Sequence, residues 1–262
     1  MSNANMSNLT SLQGKKGLVI GIANDQSIAW GCARALRDAG AELAVTWLND
    51  KARPHVEPLA QQVQAAIALP LDVSLPEQGA ALFEQIAQQW GRLDFLVHSI
   101  AFAPQQDLHG RVVDTSPDGF AQAMDISCHS FMRMARLAEP LMQGGGSLMT
   151  MSYLGAAEVV NDYGVMGPVK AALEASVRYL AAELGPAGIR VNAISPGPLA
   201  TRAASGIAHF DRLLVDAEAR SPMRRLASID DVGALCAFLA GDGARSITGG
   251  TLYVDGGYNI LN

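Results

Sequence analysis

Cysteine is scarce: Cys32, Cys128 and Cys236 are the only three in 262 residues, far apart and without a C-x-x-C pair. That spacing excludes a thiolate zinc site and a disulfide framework, so no metal and a reducing compartment are expected. Positive charge is also in short supply. Lys and Arg total 19 against 25 Asp and Glu, for a net charge of -6, and no run of five or six like charges occurs. A cationic surface for nucleic acid or anionic lipid is therefore missing. No stretch approaches the roughly 18 to 20 apolar residues needed to cross a bilayer. The N-terminal MSNANMSNLTSLQ lacks the basic and apolar regions of a secretory signal. These absences make a cytoplasmic protein the expectation, with no nucleic acid and no membrane among its partners. Residues 1–10 are expected to be disordered or a remnant outside the fold, with Met6 a second candidate start. The common dinucleotide fingerprint G-x-G-x-x-G is absent as well.

What remains is 49% hydrophobic and 17% charged, enough to bury a sizeable core in one domain over residues 11–262. Short apolar runs alternate with helical patterns. GLVIGIA reads as a strand, and in the following SIAWGCARALRDAG the residues Ile28, Cys32, Ala35 and Leu36 recur at helical spacing until Gly40. AELAVTWL, AIALPLDV and the nearly continuous RLDFLVHSIAFAP read as strands two to four, separated by helices in LAQQVQAA and in QGAALFEQIAQQWG, which Gly91 closes. FAQAMDISCHSFMRMARLAEPLM reads as one long helix, GGGSLMTMSYLG as strand five, KAALEASVRYLAAELG as a helix, IRVNAISPG as strand six and RSITGGTLYVDGG as strand seven. Unbroken apolar strands alternating with helices predict an α/β, Rossmann-like doubly wound sheet of about seven parallel strands.

Such sheets bind ligands outside the carboxyl ends of the strands, where strand order reverses. After strand one, Gly21 opens a turn through Ser27, Ile28 and Ala29 into a helix, where free N–H groups and the helix dipole favour a pyrophosphate. An ordinary strand-to-helix turn explains Gly21 equally well. After strand three, Asp72 is placed to accept from an adenine amino group with Val73 against the ring; capping of the next helix is the competing role, for which Ser74 is also available. His98 after strand four reads as a core histidine rather than a catalytic base. After strand five comes YGVMGPVK, residues 163–170. Pro168 fits only the first turn of a helix, so the helix carrying Lys170 is predicted to start near Met166 or Gly167 with Tyr163 just ahead of it. Both side chains then face one cleft, and the lysine ammonium would favour a charged or proton-donating phenol.

The chain resembles the short-chain dehydrogenase/reductase superfamily along its whole length. Within it, the nearest likeness is to the divergent, single-domain, NADH-dependent enoyl-[acyl-carrier-protein] reductases of bacterial type II fatty-acid synthesis. The resemblance rests on Gly21, Ser27 and Ala29 in G-x5-S-x-A, LDV at 71–73, HSIAFAP at 98–104, SYLG at 152–155, YGVMGPVK, RVNAISPGP at 190–198, AASGI at 203–207 and VDGG at 254–257. Ordinary superfamily members place the tyrosine four residues before the lysine, where this chain has Met166. The seven-residue interval and a second tyrosine ten residues earlier, Tyr153 here, are features of the enoyl reductase branch. The resemblance implies that Gly21, Ser27 and Ile28 line the pyrophosphate turn and that Asp72 and Val73 hold adenine. It places Ser99, Ile100 and Ala101 at the ribose and nicotinamide, Lys170 on the ribose hydroxyls, and Leu199 and Thr201 at the carboxamide and phosphates. Tyr163 would donate to the thioester carbonyl, and Tyr153, Phe102, Met166 and Ile207 would wall the acyl pocket. The implied reaction reduces the trans-2 double bond of a chain carried on acyl-carrier protein, and the implied assembly is a homotetramer.

Departures from the family pattern are Asn24-Asp25 in the phosphate turn, Ala101 where glycine is common, and Pro196 and Ala200. Cofactor choice turns on TWLNDK at the end of strand two. An acid reading the ribose is expected about 20 residues after the glycine turn. Leu48 is neither acid nor base, Asp50 can serve NADH, and Lys51 with Arg53 keeps NADPH open. Residues 199–222 are amphipathic and read either as a lid over cofactor and acyl chain, with Ile207 and Phe210 inward, or as surface helices. Arg202, Arg212, Arg220, Arg224 and Arg225 form either a docking patch for the acidic carrier protein or a solvated face. The alternatives to an enoyl reductase are a carbonyl-reducing member of the superfamily and a nucleotide-binding module without catalysis. The first requires a tyrosine at position 166, and the second has no use for Tyr163 and Lys170.

Overall fold

The computed structural model describes residues 10–199, 201 and 210–261. The expectations for residues 1–9, Arg202 and Ile207 lie outside that set, as does the side chain of Phe210. Seven strands, β1 (Lys16–Ile20), β2 (Glu42–Trp47), β3 (Ile67–Pro70), β4 (Phe95–His98), β5 (Gly146–Met151), β6 (Ile189–Pro196) and β7 (Thr251–Val254), form one sheet in the order β3-β2-β1-β4-β5-β6-β7. Every pairing is parallel. The intervening helices are α1 (Ile28–Asp38), α2 (Arg53–Gln62), α3 (Pro76–Trp90), α4 (Gln105–Leu108), α5 (Pro117–Met124), α6 (Ser130–Ala138), α7 (Met166–Leu184), α8 (Phe210–Arg220) and α9 (Ile229–Ala240).

Side chains of a strand alternate between the sheet's faces, and here each face supports its own core. Leu18, Ile20, Leu96 and Leu148 pack with Leu82 of α3, Phe131 of α6 and Leu173 of α7. Val19, Val45, Val97 and Met149 pack with Leu36 of α1, Val56 of α2 and Val232 of α9. Because both faces are covered, the strands carry no polar alternation, which is why they read as apolar runs.

Three local expectations need correction. The long helix over 120–142 is α5, then a π-helical turn over Asp125–His129, then α6 and a 3-10 turn over Glu139–Leu141. Polar Ser127 and Ser130 face inward there and bond to strand-end groups, which the wider turn permits. Strand four is four residues long rather than the full apolar run, since after His98 the chain turns off to line the cleft. Ser74 does not cap α3: the cap position is Leu75, and the Ser74 hydroxyl donates to Asp72 Oδ1 at 2.6 Å. The helix bearing Lys170 begins at Met166, with Tyr163 three residues ahead, as Pro168 requires.

Candidate active site

The chain runs outward from β1 to β3 and then returns to β4 on the other side of β1, so the strand order reverses between β1 and β4. Ile20 is in register with His98, and the Ser99 amide donates to the Ile20 carbonyl at 3.0 Å. Gly21 follows with φ +102°, and a Cβ there would lie 2.1 Å from the Ser99 carbonyl oxygen. The position therefore admits glycine alone. In the turn that follows, Ser27 Oγ donates to the Asn24 carbonyl at 2.6 Å and makes no bond to its own helix. The first amides of α1 are left for a ligand, and Asp25 points into solvent. A glycine cradle beside an uncapped helix N-terminus fits a dinucleotide pyrophosphate.

Beside this turn opens a cavity of about 350 Å³. Ile28 and Ser99–Phe102 form one side, and Leu199 and Thr201 beyond β6 form the other. Its inner wall is Tyr153, Tyr163, Met166 and Lys170. The tyrosine, the lysine and the methionine four residues before the lysine thus reach the same space. Lys170 is 3% exposed, and its ammonium donates to the Met151 carbonyl at 2.6 Å. Burial pulls its pKa down to about 8, against opposing pulls from Cys128 and Glu174. Tyr163 is 8% exposed, and burial pushes its phenol far above the ordinary range, with Tyr153 and Glu174 adding to the shift. Of the charged or proton-donating phenol expected beside the ammonium, the charged form is disfavoured, because the ammonium is turned toward a backbone carbonyl and desolvation dominates. Tyr163 is held as a neutral phenol. The Tyr153 phenol is raised too, chiefly by burial. Its ring lies 4.8 Å from that of Tyr163 at 57°, and its buried hydroxyl has no hydrogen-bond partner among the described residues. An orphaned buried hydroxyl is costly unless a ligand oxygen meets it.

The wall opposite is held by His98, the core histidine of the sequence reading, and by serines that the sequence reading overlooked. Ser127 Oγ accepts from the Phe102 amide and donates to the Phe102 carbonyl, both at 2.8 Å. His98 is fully buried between Thr150 Oγ1, 3.2 Å from Nδ1, and Ser130 Oγ, 2.7 Å from Nε2. Burial first, and the Lys170 charge second, lower its pKa to about 3, so it is a neutral structural histidine. Glu174, one turn beyond Lys170 on α7, accepts from Ser152 Oγ at 2.5 Å. The only sequence signal for Ser127 and Ser130 was hydroxyls at helical spacing in an otherwise apolar segment, and nothing in the sequence singled out Glu174.

The remaining predicted residues sit apart from the cavity, at the β2 and β3 ends. Asp72 Oδ1 accepts from the Ser74 amide at 2.9 Å, and Val73 is 4% exposed, so it offers a ligand little side-chain surface. Leu48 is 54% exposed, while Asn49 Oδ1 is occupied by the amides of Lys51 and Ala52 at 3.1 and 3.2 Å. Arg53 lies over the Trp47 ring at 5.9 Å and pairs with Glu57 at 2.9 Å. No cluster of His, Cys, Asp or Glu among the described residues is arranged to hold a metal ion.

The chain as a whole is similar to known proteins. The family model described as Enoyl-(Acyl carrier protein) reductase matches residues 21–259. The chain is 48% identical over 250 residues to the enoyl-[acyl-carrier-protein] reductase [NADH] 1 of Rhizobium meliloti, covering 95% of this chain and 92% of that one. Among solved structures, the Anaplasma phagocytophilum enoyl-(acyl-carrier-protein) reductase in complex with NAD superposes with a TM-score of 0.92 at 49% identity, covering 96% of both chains. The Bacillus cereus enoyl-acyl carrier protein reductase with NADP+ and indole naphthyridinone superposes with a TM-score of 0.94 at 47% identity, covering 96% of this chain and 98% of that one.

Proposed function

The chain belongs to the enoyl-(acyl carrier protein) reductase family, the NADH-dependent oxidoreductases of fatty-acid synthesis, and on that premise we propose that Tyr163 and Lys170 carry its chemistry. The observation that supports this assignment is their convergence, seven residues apart, on one buried cavity at the strand-order reversal, with Met166 where a carbonyl-reducing tyrosine would stand. Gly21, Ser27 and Ile28 would hold the pyrophosphate, Asp72 and Val73 the adenine, Ser99, Ile100 and Ala101 the ribose and nicotinamide, and Leu199 and Thr201 the carboxamide. When bound there, NADH would supply the hydride for C3 of a trans-2-enoyl thioester.

Tyr163 donates a hydrogen bond to the thioester oxygen as negative charge develops on it, and so stabilises the transition state more than the ground state. With its pKa pushed so high, Tyr163 is a donor rather than a proton source, and the C2 proton is drawn from water beside Lys170. Lys170, mostly charged at neutral pH, would hold the ribose hydroxyls with the donors left beside its bond to Met151. Tyr153, Phe102 and Met166 wall the acyl pocket. The segment 199–222 serves as the lid: it leaves from Leu199 and Thr201, at the cavity rim. The acyl chain arrives on acyl-carrier protein, for whose acidic surface the exposed Arg212 and Arg224 are the favoured contacts; Arg220 and Arg225 already pair with Asp216 and Asp231.

NADH is the main cofactor, and NADPH is accepted because no acid stands at Leu48 and Lys51 is close by. A homotetramer fits the open outer edge of β7 and the exposed Tyr179 and Ile260, which are 74% and 69% accessible. No helix among the described residues is long and apolar enough to cross a membrane, and a cytoplasmic location is part of this reading. The test is NADH oxidation by trans-2-enoyl thioesters with and without Tyr163→Phe. A rate loss of about 10² to 10³ is expected, and turnover of ketones in place of enoyl thioesters would refute it.

A further inference from the structure

Glu174 lies one helical turn past Lys170, on the same face of α7, and reaches back to the end of β5, where the Ser152 hydroxyl donates to it at 2.5 Å. Ser152 is 5% exposed, and its neighbours are both in the site. Met151 supplies the carbonyl that holds the Lys170 ammonium at 2.6 Å, and the Tyr153 ring packs at a tilt against that of Tyr163, centroids 4.8 Å apart. Beside the bond from Lys170 to Met151, this hydrogen bond is a second tie between the turn that carries both contacts and the helix that carries Lys170. We infer that Glu174, acting through Ser152, is a positioning residue for the reaction: it pins Met151, Ser152 and Tyr153 against α7 and sets a negative charge one turn from the Lys170 ammonium.

The inference rests on the roles proposed for Tyr163 and Lys170. The charge matters because two groups act against the burial of Lys170, Cys128 first and Glu174 second, and the first is a thiol. His98 on β4 is neutral, Tyr153 and Tyr163 are neutral phenols, and burial raises the thiol of Cys128 in the π turn so that it too is uncharged. Glu174 is the carboxylate among the groups that act on Lys170, and it opposes the burial that lowers the lysine's pKa to about 8. Removing its charge should move the loss of the ammonium to lower pH.

The experiment measures NADH dissociation constants by fluorescence titration across pH 6 to 10, together with kcat and KM for a trans-2-enoyl thioester and the melting temperature. The variants are Glu174→Gln, Glu174→Ala and Ser152→Ala, with Lys170→Met as reference. Glu174→Ala and Ser152→Ala should each lower kcat about tenfold. Glu174→Gln keeps an acceptor for Ser152 and should recover most of that loss. Both Glu174 variants should move the alkaline weakening of NADH binding down by roughly half a pH unit, while Ser152→Ala leaves it in place. The inference is overturned if Glu174→Gln leaves the alkaline limb where it was while Lys170→Met still loses NADH binding, or if Ser152→Ala keeps full kcat. Unchanged NADH binding in Lys170→Met would overturn the proposed role of Lys170 itself, and this inference with it. Should Glu174→Ala fail to fold, the limb in Glu174→Gln still decides.

Discussion

The two ends of the cleft are built on different principles. At the β5–α7 end, Tyr163, Lys170 and His98 are all at or below 8% exposure, and burial is the largest cause of every shift in their ionisation. Partners of His98 and Lys170 come from far along the chain: the His98–Thr150 contact spans 52 residues and the Lys170–Met151 contact spans 19. At the β2–β3 end, the side chains of Asp72 and Asn49 are satisfied within two or three residues, by Ser74 and by Lys51 and Ala52. The first end is a preorganised electrostatic environment that acts only when folded, while the second is a pair of local turns that the sequence dictates by itself.

Breaking the junction between the two ends should have the largest effect. Gly21→Ala puts a methyl group 2.1 Å from the Ser99 carbonyl oxygen at φ +102°, and backbone strands β1 and β4 would have to part to admit it. A loss of about 3 kcal/mol or more in stability is expected, from a left-handed conformation and a backbone clash together, with NADH affinity reduced at least tenfold. Urea unfolding and NADH titration check it, and wild-type values in both would refute the cradle.

The buried end should announce itself through pH. His98 has a folded pKa of about 3 against an ordinary 6.5, so the unfolded chain binds the proton across that window and the folded chain does not. Stability is then fully present above about 6.5 and falls progressively as pH drops toward 3. Melting temperatures from pH 7.5 to 4.5 should decline more steeply in the wild type than in His98→Gln, which keeps hydrogen-bonding capacity without a titrating ring. Equal slopes would count against burial as the governing cause.

The exposed end should yield the smallest change, and one confined to cofactor choice. Leu48→Asp supplies an acid at the end of β2, where Leu48 is 54% exposed. The NADH to NADPH ratio of kcat/KM should rise by roughly five- to tenfold, about 1 to 1.4 kcal/mol, with stability unchanged. An unaltered ratio would move the ribose determinant to Asp50 or Lys51.

The same contrast separates what could be read early from what could not. Gly91 ending α3, Pro168 fixing the start of α7 and the apolar runs of the strands are local or periodic signals, and they gave the order of elements and the placing of Tyr163 beside Lys170. The break in the long helix at Asp125–His129 was hidden because its cause is non-local: Ser127 and Ser130 turn inward to meet Phe102 and His98. Glu174 was hidden for a similar reason. As a glutamate on an amphipathic helix it looks like any solvated charge, and only its contact with Ser152 sets it apart.

By itself, then, the sequence determined a parallel doubly wound sheet, the glycine turn after its first strand, and a tyrosine and lysine seven residues apart with methionine in the place of a ketone-reducing tyrosine. It could do so because turn chemistry and hydrophobic period act over a few residues. Only the tertiary structure decided the charge states. The phenol of Tyr163 is held neutral and the ammonium of Lys170 is drawn to the Met151 carbonyl, because desolvation depends on what every other part of the fold places around them.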